Sequence, residues 1–344
     1  MNKAAYMTAI DKMEIREIEM PTPKNGEVLV KLEYVGICGS DVSYFHKGKC
    51  GDAVVKGDFI LGHECAGTIV GLGEGVTTHK VGDRVALEPG LTCGKCSFCK
   101  NGRYNLCADV VFFATPPVQG CNAYYVSFPA DMAFILPKNI SSKEGALIEP
   151  LAVGIHTANL GDIKMGDSVL ILGAGCIGLV TLLACKAHGA TDITVTDIVP
   201  KRLEFAKKLG ATRVINAAEK NVAEEIDKLT NGAGIEKVIE AAGTPETIAL
   251  TPHVVKRGGV IVLVGIAAQE EINYNFAKIM FKEARIESIF RYRNIYPQAI
   301  AAVSNGSIDI SGIVTHEFDF DNIQEAFECV INNPNDIVKA VIKI

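Results

Sequence analysis

The sequence predicts an α/β protein of two domains, one rich in β-strands and one built on a doubly wound parallel sheet. Its 344 residues exceed the size of one ordinary domain. The middle of the chain alternates short β-branched runs with stretches of helical periodicity, which is typical of a parallel sheet covered on both faces. The first 150 residues instead carry strand-like runs between glycine-rich turns and few helical stretches.

Composition and charge narrow the class of protein. An apolar fraction of 48% and a charged fraction of 22% are globular values. The net charge of −6 and the lack of a basic run argue against nucleic acid as a partner. The N-terminal residues do not resemble a signal peptide, and the uncharged segment 168–185 contains too much glycine for a membrane span. We therefore expect a cytoplasmic protein without a membrane partner, whose eleven cysteines serve as thiols or metal ligands.

The predicted elements follow this division. Strands in the first domain are expected at 29–35, 66–72, 84–87 and 123–126. Strands in the middle of the chain are expected at 168–173, 193–197, 213–216, 237–242, 260–265 and 285–290. Six strands alternating with helices fit two mononucleotide-binding halves. The tail has a helical pattern at 324–332 and a strand-like end at 337–344. The predicted domains are thus 1–153, to which 291–344 returns, and 154–290.

A glycine motif opens the second domain. Gly173, Gly175 and Gly178 form GxGxxG after the apolar run 169–172 and before a helical stretch. In that context the glycines permit a tight turn, close approach of the pyrophosphate, and close packing of helix on strand. The helix N-terminus then offers N–H groups to the phosphates. The alternative is a glycine turn in an empty α/β unit. We expect a dinucleotide site, with Ile177 inside the motif among the cofactor contacts.

An acidic residue ends the next predicted strand. Asp197 follows Gly178 by 19 residues, the place of a carboxylate that accepts hydrogen bonds from the adenosine ribose. This carboxylate would repel a 2′-phosphate, so NAD is favoured over NADP. Arg202 could stack on the adenine or contact the ribose, and it could equally be a solvated helix arginine. Val264, at the end of the fifth predicted strand, completes the expected cofactor contacts.

Four cysteines lie close together in the first domain: Cys93, Cys96, Cys99 and Cys107. A structural zinc ion takes four tetrahedral ligands with no open position, and short loops with cysteines at this spacing supply them. An iron–sulfur cluster uses similar spacings and stays open as an alternative, as do scattered core cysteines. A closed four-thiolate site stabilises a loop and performs no chemistry.

A second set of residues offers the ligand types of a catalytic zinc, which keeps one position for water or substrate. Cys38 lies in GICGSD, His63 and Glu64 lie in GHECAG, and Glu149 lies in LIEP. Spacing alone does not decide the matter, because a single cysteine or histidine in a β-rich domain is usually structural.

Taken together, GICGSD at 36–41, GHECAG at 62–67, the four-cysteine loop, GxGxxG and Asp197 resemble the medium-chain zinc alcohol dehydrogenases along the whole chain. Three further stretches are similar to polyol (sorbitol, L-iditol) dehydrogenases: FFATPP at 112–117, GALIEPL at 145–151 and FRYRN at 290–294. The resemblance implies a GroES-like β-rich catalytic domain and a Rossmann NAD-binding domain, with the active site between them. It also implies a homotetramer.

The resemblance further implies the roles of individual residues. Cys38 and His63 would bind catalytic zinc. Glu64 and Glu149 are both candidate ligands, and Glu149 could act through a water. Ser40 would help to remove the substrate proton. The substrate-binding residues implied are Tyr44, Phe113, Thr115, Glu149, Arg291 and Tyr292.

Two departures from the family pattern concern the substrate side. Many relatives carry a proton-relay histidine two residues after the SD pair, where this chain has Ser43, with His46 nearby. The FFATPP stretch is also one residue shorter between its phenylalanines and its threonine than in the animal enzymes. This difference weakens the match of Phe113 and Thr115 to the substrate-binding residues of the family.

The implied activity is oxidation of a secondary hydroxyl of a polyol such as sorbitol, L-iditol or xylitol to a ketose, with NAD as hydride acceptor and one catalytic and one structural zinc per chain. One alternative is a dehydrogenase of another small alcohol, such as 2,3-butanediol, threonine or a sugar-alcohol phosphate. Another is a non-catalytic NAD-binding structural protein, against which the complete set Cys38, His63 and Glu64 argues.

Overall fold

The structure, a computed structural model, describes residues 1–344, which form two compact units. The first unit comprises Met1–Glu149, Tyr296–Gly306 and Ile310–Ile344, and the second comprises Pro150–Ile295 and Ser307–Asp309. These units divide at 149 and 295, whereas the sequence places the domain boundaries at 153 and 290. The assignment of catalysis to one unit and of cofactor binding to the other stays a prediction.

The chain contains strands and helices throughout, as expected for an α/β protein. The strands are β1 (Asn2–Ala9), β2 (Lys12–Ile18), β3 (Glu27–Gly36), β4 (Lys49–Cys50), β5 (Ala53–Val54), β6 (Phe59–Ile60), β7 (Glu64–Leu72), β8 (Arg84–Leu87), β9 (Gly90–Leu91), β10 (Val111–Phe112), β11 (Tyr125–Pro129), β12 (Ala133–Ile135), β13 (Ser168–Leu172), β14 (Asp192–Asp197), β15 (Arg213–Asn216), β16 (Ile235–Glu240), β17 (Val255–Leu263), β18 (Arg285–Ser288), β19 (His316–Asp319) and β20 (Ala340–Lys343). The α-helices are α1 (Gly39–Lys47), α2 (Ser97–Lys100), α3 (Ser142–Ala146), α4 (Ile148–Leu160), α5 (Cys176–Ala187), α6 (Pro200–Leu209), α7 (Val222–Thr230), α8 (Pro245–Val254), α9 (Phe276–Lys282), α10 (Tyr296–Ser304) and α11 (Ile323–Asn332). None of these helices has the length and apolar character that a membrane crossing requires.

The first unit is built around a seven-stranded sheet. Its strands run in the order β12-β8-β7-β3-β20-β19, and β11 pairs with the free part of β3. In β3 the side chains of Val28, Val30 and Leu32 are fully buried and alternate with more exposed ones, the period of a strand with one face on a core. The tail strand β20 pairs antiparallel with the end of β3, so the last residues of the chain lie beside the loop that follows Gly36.

One predicted strand is displaced. The sequence predicts a strand over 123–126, but β11 begins at Tyr125. The preceding residues are held by β1 instead: Ala5 N–H donates to the carbonyl of Asn122, and Tyr124 N–H donates to that of Lys3, both at 2.9 Å. The chain therefore changes from one sheet to another at this point, which the period-2 pattern of side chains cannot reveal.

The second unit contains one parallel six-stranded sheet. The strand order is β15-β14-β13-β16-β17-β18, which is the order 3-2-1-4-5-6 of a doubly wound dinucleotide-binding fold. Val169 through Leu172 of β13 are fully buried, so both faces of this strand are covered. The strand order reverses between β13 and β16, and in such sheets ligands bind outside the carboxyl ends of the strands at this point. The predicted α/β architecture with a β-rich and a parallel-sheet part is confirmed.

Candidate metal centres and cofactor site

The four-cysteine loop brings its thiols together. The ligand atoms of Cys93, Cys96, Cys99 and Cys107 all lie within 4.8 Å of one another. The Sγ atoms of Cys96 and Cys99 are 3.5 Å apart, and those of Cys93 and Cys99 are 4.0 Å apart. Ligands at 2.3 Å from a tetrahedral zinc ion lie about 3.8 Å from each other. The thiols therefore already have the spacing that a zinc ion requires.

Backbone N–H groups prepare these thiols to bind a cation. Cys96 is the N-cap of α2, and its Sγ accepts the N–H of Cys99, while Cys93 Sγ accepts the N–H of Cys96 at 3.3 Å. Hydrogen bonds from the N–H groups of Lys95 and Cys96 lower the pKa of the Cys93 thiol to about 6. For Cys96, the N–H of Cys99 is outweighed by desolvation and by hydrogen bonds with the neighbouring thiols, which raise the pKa to about 11. The spacing of the four thiols, one of which ionises readily, fits a structural zinc ion, which binds the thiolate form.

A second cluster forms from residues that are distant in sequence. The ligand atoms of Cys38, His63 and Glu64 also lie within 4.8 Å of one another. Cys38 is the N-cap of α1, His63 follows the turn at Gly62, and Glu64 is the first residue of β7. His63 and Glu64 are buried, and Cys38 is partly exposed. A thiolate, an imidazole and a carboxylate with one accessible side match a catalytic zinc site.

Asp41 holds this cluster in place. Its fully buried carboxylate accepts the backbone N–H groups of Gly62 at 3.0 Å and Cys38 at 3.1 Å, and it lies 3.5 Å from His63 Nδ1. Burial raises the pKa of Asp41, but His63 and the two N–H groups together lower it by more, so the pKa lies below its usual range. With Nδ1 oriented toward Asp41, Nε2 is the ring nitrogen left for a metal ion.

Glu64 forms a buried ion pair with the tail of the chain. Lys339 Nζ donates to Glu64 Oε1 at 2.6 Å and to the carbonyl of Ile37 at 3.0 Å. It also lies 2.5 Å from Glu64 Oε2, but no hydrogen bond of acceptable geometry reaches that oxygen. Both side chains are at most 3% exposed. An under-satisfied carboxylate oxygen beside a thiol and an imidazole fits a metal ligand, and Lys339 offsets part of its charge.

Gly36 makes room for the carboxylate, which gives a test of the cluster. A Cβ on Gly36 would lie 2.0 Å from Glu64 Oε2, whereas a Cβ on Gly39 would meet nothing within 4 Å. We expect Gly36→Ala to displace Glu64 and to disrupt its ion pair, weakening binding of the catalytic zinc by about 10- to 100-fold. Chelator competition would measure this affinity, with Gly39→Ala as the matched control. Equal zinc affinity in both variants would contradict a role for Glu64 in holding the metal.

Glu149 does not join the three-residue cluster. It is buried in the first turn of α4, but it is absent from the group whose ligand atoms lie within 4.8 Å. Its charge acts on Glu88: burial raises the pKa of Glu88 to about 7, and Glu149 adds to that rise. Tyr104 Oη donates to Glu88 Oε1 at 2.6 Å. Direct ligation by Glu149 therefore stays a prediction, and Glu64 is the carboxylate that the structure groups with Cys38 and His63.

The residues expected near the substrate hydroxyls lie on α1. Ser40 is in the first turn, two residues after Cys38, and is partly exposed. Tyr44 is buried and packs edge-on against Phe59. Ser43 donates to the carbonyl of Lys49 at 2.7 Å, and His46 Nδ1 is 2.8 Å from the carboxylate of Asp11. Ser43 and His46 are therefore each engaged in a local contact.

The two phenylalanines of the FFATPP stretch face different neighbours. The ring of Phe112 lies 5.7 Å from that of His63, whereas Phe113 packs against Phe128 at 4.9 Å. Thr115 closes a tight turn, in which its carbonyl accepts the N–H of Val118. Phe112, which the sequence did not single out, is thus the aromatic neighbour of the ligand cluster. Roles for Phe113 and Thr115 in substrate binding stay predictions.

The FRYRN stretch belongs to the second unit. The guanidinium of Arg291 lies 4.8 Å from the Phe290 ring, and Arg291 adopts a positive φ of 55°. Tyr292 is buried at 3% exposure. Burial, with a smaller contribution from the charge of Arg293, lowers the pKa of His156 to about 4, so this histidine is neutral at physiological pH. The substrate roles of Arg291 and Tyr292 stay predictions.

The glycine motif has the geometry of a phosphate-binding turn. Gly173 adopts φ +107°, and a Cβ on Gly178 would lie 1.9 Å from the carbonyl oxygen of Gly173. Gly175 is the N-cap of α5, and a Cβ there would meet nothing within 4 Å. The space beside Gly175 at a helix N-terminus fits a cofactor pyrophosphate.

Asp197 stands next to this turn. Its Oδ2 accepts the N–H of Ala174 at 2.7 Å, its Oδ1 accepts that of Val199 at 2.9 Å, and Arg202 Nη1 lies 3.9 Å from Oδ2. The carboxylate is thereby fixed at the end of β14, the position of a ribose-binding acid. Ile177 and Val264 are partly exposed, at the start of α5 and just after β17. All four residues lie at the carboxyl side of the parallel sheet, and their cofactor roles stay predictions.

Known proteins resemble this chain along its whole length. Residues 24–138 match the alcohol dehydrogenase GroES-like domain, and residues 176–305 match the zinc-binding dehydrogenase family. The chain is 44% identical to the sorbitol dehydrogenase of Bacillus subtilis over 340 residues, covering 99% of this chain and 96% of that one. Two solved structures each cover 100% of this chain and 99% of theirs. A zinc-binding dehydrogenase from Sinorhizobium meliloti bound to NADP has 30% identity and a TM-score of 0.91. An Escherichia coli alcohol dehydrogenase complexed with NADH has 29% identity and a TM-score of 0.93.

Proposed function

The chain belongs to the zinc-dependent medium-chain alcohol dehydrogenases, in their polyol dehydrogenase-like branch, and we propose that it oxidises a secondary hydroxyl of a polyol to a ketose with NAD as hydride acceptor. The observation that carries the proposal is the convergence of Cys38, His63 and Glu64, a ligand set with one accessible side. The proposed substrate types are sorbitol, which the name of the Bacillus subtilis relative contains, and L-iditol and xylitol, which the resemblance to polyol dehydrogenases implies.

The residues in and around the cluster have different proposed roles in binding the metal and in moving the substrate proton. When bound, zinc supplies a Lewis acid that lowers the pKa of the substrate hydroxyl. Cys38, His63 and Glu64 would hold it, and Asp41 would fix the tautomer of His63. Lys339 tempers the negative charge of Glu64, so the site keeps more of the positive charge that favours loss of the substrate proton. Ser40, two residues after Cys38, would receive that proton on its way to solvent.

The choice of NAD depends on Asp197. Its carboxylate is held by two backbone N–H groups and cannot readily turn away from a bound ribose. A negative charge in that place repels a 2′-phosphate. Two relatives with similar sequence identity to this chain differ in cofactor, since one is bound to NADP and the other to NADH. The test must therefore include both cofactors.

The direct test combines zinc quantification with a substrate screen. We expect about two zinc ions per chain, because two ligand sets are complete. We also expect NAD-linked turnover of at least one polyol of four to six carbons, with NADP giving a lower kcat/KM. A panel of polyols, assayed with each cofactor, measures this. Absence of turnover on every such polyol would contradict the polyol proposal.

The same experiment separates the alternatives. Turnover of 2,3-butanediol, threonine or a sugar-alcohol phosphate without polyol activity would indicate a different small-alcohol dehydrogenase. About one zinc ion per chain, with no turnover on any alcohol, would indicate a non-catalytic NAD-binding protein. A homotetramer, which the resemblance implies, and a location in the cytoplasm, which the sequence predicts, belong to the same proposal.

A further inference from the structure

A buried carboxylate in the second unit remains unexplained by the reaction chemistry. Glu240 is the last residue of β16 and is fully buried. Its strand lies next to β13, where the strand order of the parallel sheet reverses. Glu240 therefore stands at the carboxyl edge of the sheet where such folds bind their ligand.

The residue ties two loops together. Glu240 Oε1 accepts the backbone N–H groups of Ala242 at 2.9 Å and Gly243 at 2.8 Å, which lie in the loop after β16. Its backbone carbonyl accepts the N–H groups of Val264 at 2.9 Å and Gly265 at 3.0 Å, which lie in the loop after β17. One residue thus fixes the exit of two adjacent strands.

A hydroxyl adds to the same carboxylate. Thr247 Oγ1, in the first turn of α8, donates to Glu240 Oε1 at 2.8 Å. This contact links the loop after β16 to the helix that follows it. Three donors therefore converge on a single carboxylate oxygen, which is more hydrogen bonds than are needed to end one strand.

These loops contact each other and the glycine turn through their backbones. A Cβ on Gly173 would lie 2.9 Å from the nitrogen of Ala242, and one on Gly265 would lie 2.2 Å from the nitrogen of Gly243. A Cβ on Gly243 would lie 2.7 Å from the carbonyl oxygen of Ile266. With no side chains between them, a small displacement of one loop is passed to the others.

The second carboxylate oxygen is unsatisfied. Glu240 Oε2 is buried and has no hydrogen-bond partner, and it lies 2.8 Å from the point that a Cβ on Gly265 would occupy. A buried oxygen without a donor is unfavourable, and such groups persist mainly where they serve a site. The carboxylate thus fills the space between the two loops, and a bulkier or reoriented group would displace the loops.

We propose that Glu240 is a positioning residue of the dinucleotide site, which holds the loops after β16 and β17 in the conformation that receives the cofactor. The inference rests on the proposed use of NAD. The competing explanation is that Glu240 only stabilises the unit, in which case its replacement would lower the melting temperature and leave cofactor affinity unchanged.

Glu236 provides a matched control on the same strand. It lies near the opposite end of β16, where Oε2 accepts the N–H of Ser168 at 2.9 Å and Oε1 pairs with Lys256 at 3.0 Å. Like Glu240, it accepts a backbone N–H, but its hydrogen-bond partners Ser168 and Lys256 lie outside the two loops. Glu240→Gln and Glu236→Gln thus make the same chemical change at the two ends of one strand.

The test is NADH binding, followed by fluorescence titration, together with steady-state kinetics. In Glu240→Gln the amide oxygen can keep the three donors of Oε1, but the negative charge that strengthens these hydrogen bonds is lost, and the two N–H bonds of the amide nitrogen are forced into the buried position of Oε2, which has no hydrogen-bond partner. We expect its Kd for NADH and its KM for NAD to rise about tenfold or more, with a smaller loss in kcat. Glu236→Gln should stay within about twofold of the wild type for both quantities.

A second pair of variants serves if Glu240→Gln does not fold. Thr247→Val removes the hydroxyl donor at similar volume and should weaken NADH binding, whereas Thr247→Ser keeps the donor and should restore it. If the wild type binds NADH and the variants bind it with unchanged affinity, the inference about Glu240 is wrong, while the proposed function stands. A wild type that binds neither NADH nor NADPH would overturn the proposed cofactor and this inference with it.

Discussion

Replacing Cys38 by serine is expected to lower kcat/KM by about 10³-fold or more while leaving the fold intact. Serine is neutral at physiological pH and is a poor zinc ligand, so the three-residue cluster would lose its thiolate. Helix α1 should survive, because Cys38 is its N-cap and serine is a favourable N-cap residue. Zinc content should fall from about two ions to about one per chain.

Cys329 offers a matched control for this variant. It is a partly exposed thiol on α11, in the same unit, and it belongs to neither ligand cluster. Cys329→Ser should keep both zinc ions and turn over substrate within about twofold of the wild type. Metal analysis and polyol kinetics measure both variants. If Cys38→Ser retained two zinc ions and normal turnover, the catalytic assignment of the cluster would be wrong.

How far the sequence predicts each site depends on the separation of its residues. The four-cysteine site is local, since all its ligands fall within residues 93–107, and spacing alone indicates it. The catalytic cluster joins positions 38, 63 and 64, and only resemblance to a family connects them. The ion pair between Glu64 and Lys339 spans 275 residues and depends on the pairing of β20 with β3. No local pattern contains that information.

Packing decides the remaining differences. The predicted substrate role of Phe113 stays a prediction, and alternation along the chain turns Phe112 toward His63 and Phe113 toward Phe128. Glu149 belongs to a motif with Pro150, yet its side chain lies outside the three-residue cluster. Glu240 did leave a signal in the sequence, since it is an acidic residue at the end of a strand and is followed by Ala241, Ala242 and Gly243. This signal is interpretable only once the strand order places Glu240 at the reversal point.

Replacing Cys96 by serine is expected to have the opposite profile, with loss of stability and retention of catalysis. Structural zinc contributes directly to folding free energy, because a loop without its metal loses the bonds that close it. If the variant loses about 2 kcal/mol, its melting temperature should fall by roughly 3–5 °C. Zinc should fall to about one ion per chain, the catalytic one.

The turnover of the folded Cys96→Ser protein is the informative measurement. At a temperature well below its transition, we expect kcat/KM to stay within about threefold of the wild type, since a four-thiolate site has no open position for substrate. Cys329→Ser, a partly exposed thiol on α11 outside both clusters, controls for loss of a cysteine. Turnover that collapsed in Cys96→Ser at unchanged melting temperature would contradict a structural role. The two cysteine variants would then fail to separate stability from chemistry, which is the separation that the two ligand sets predict.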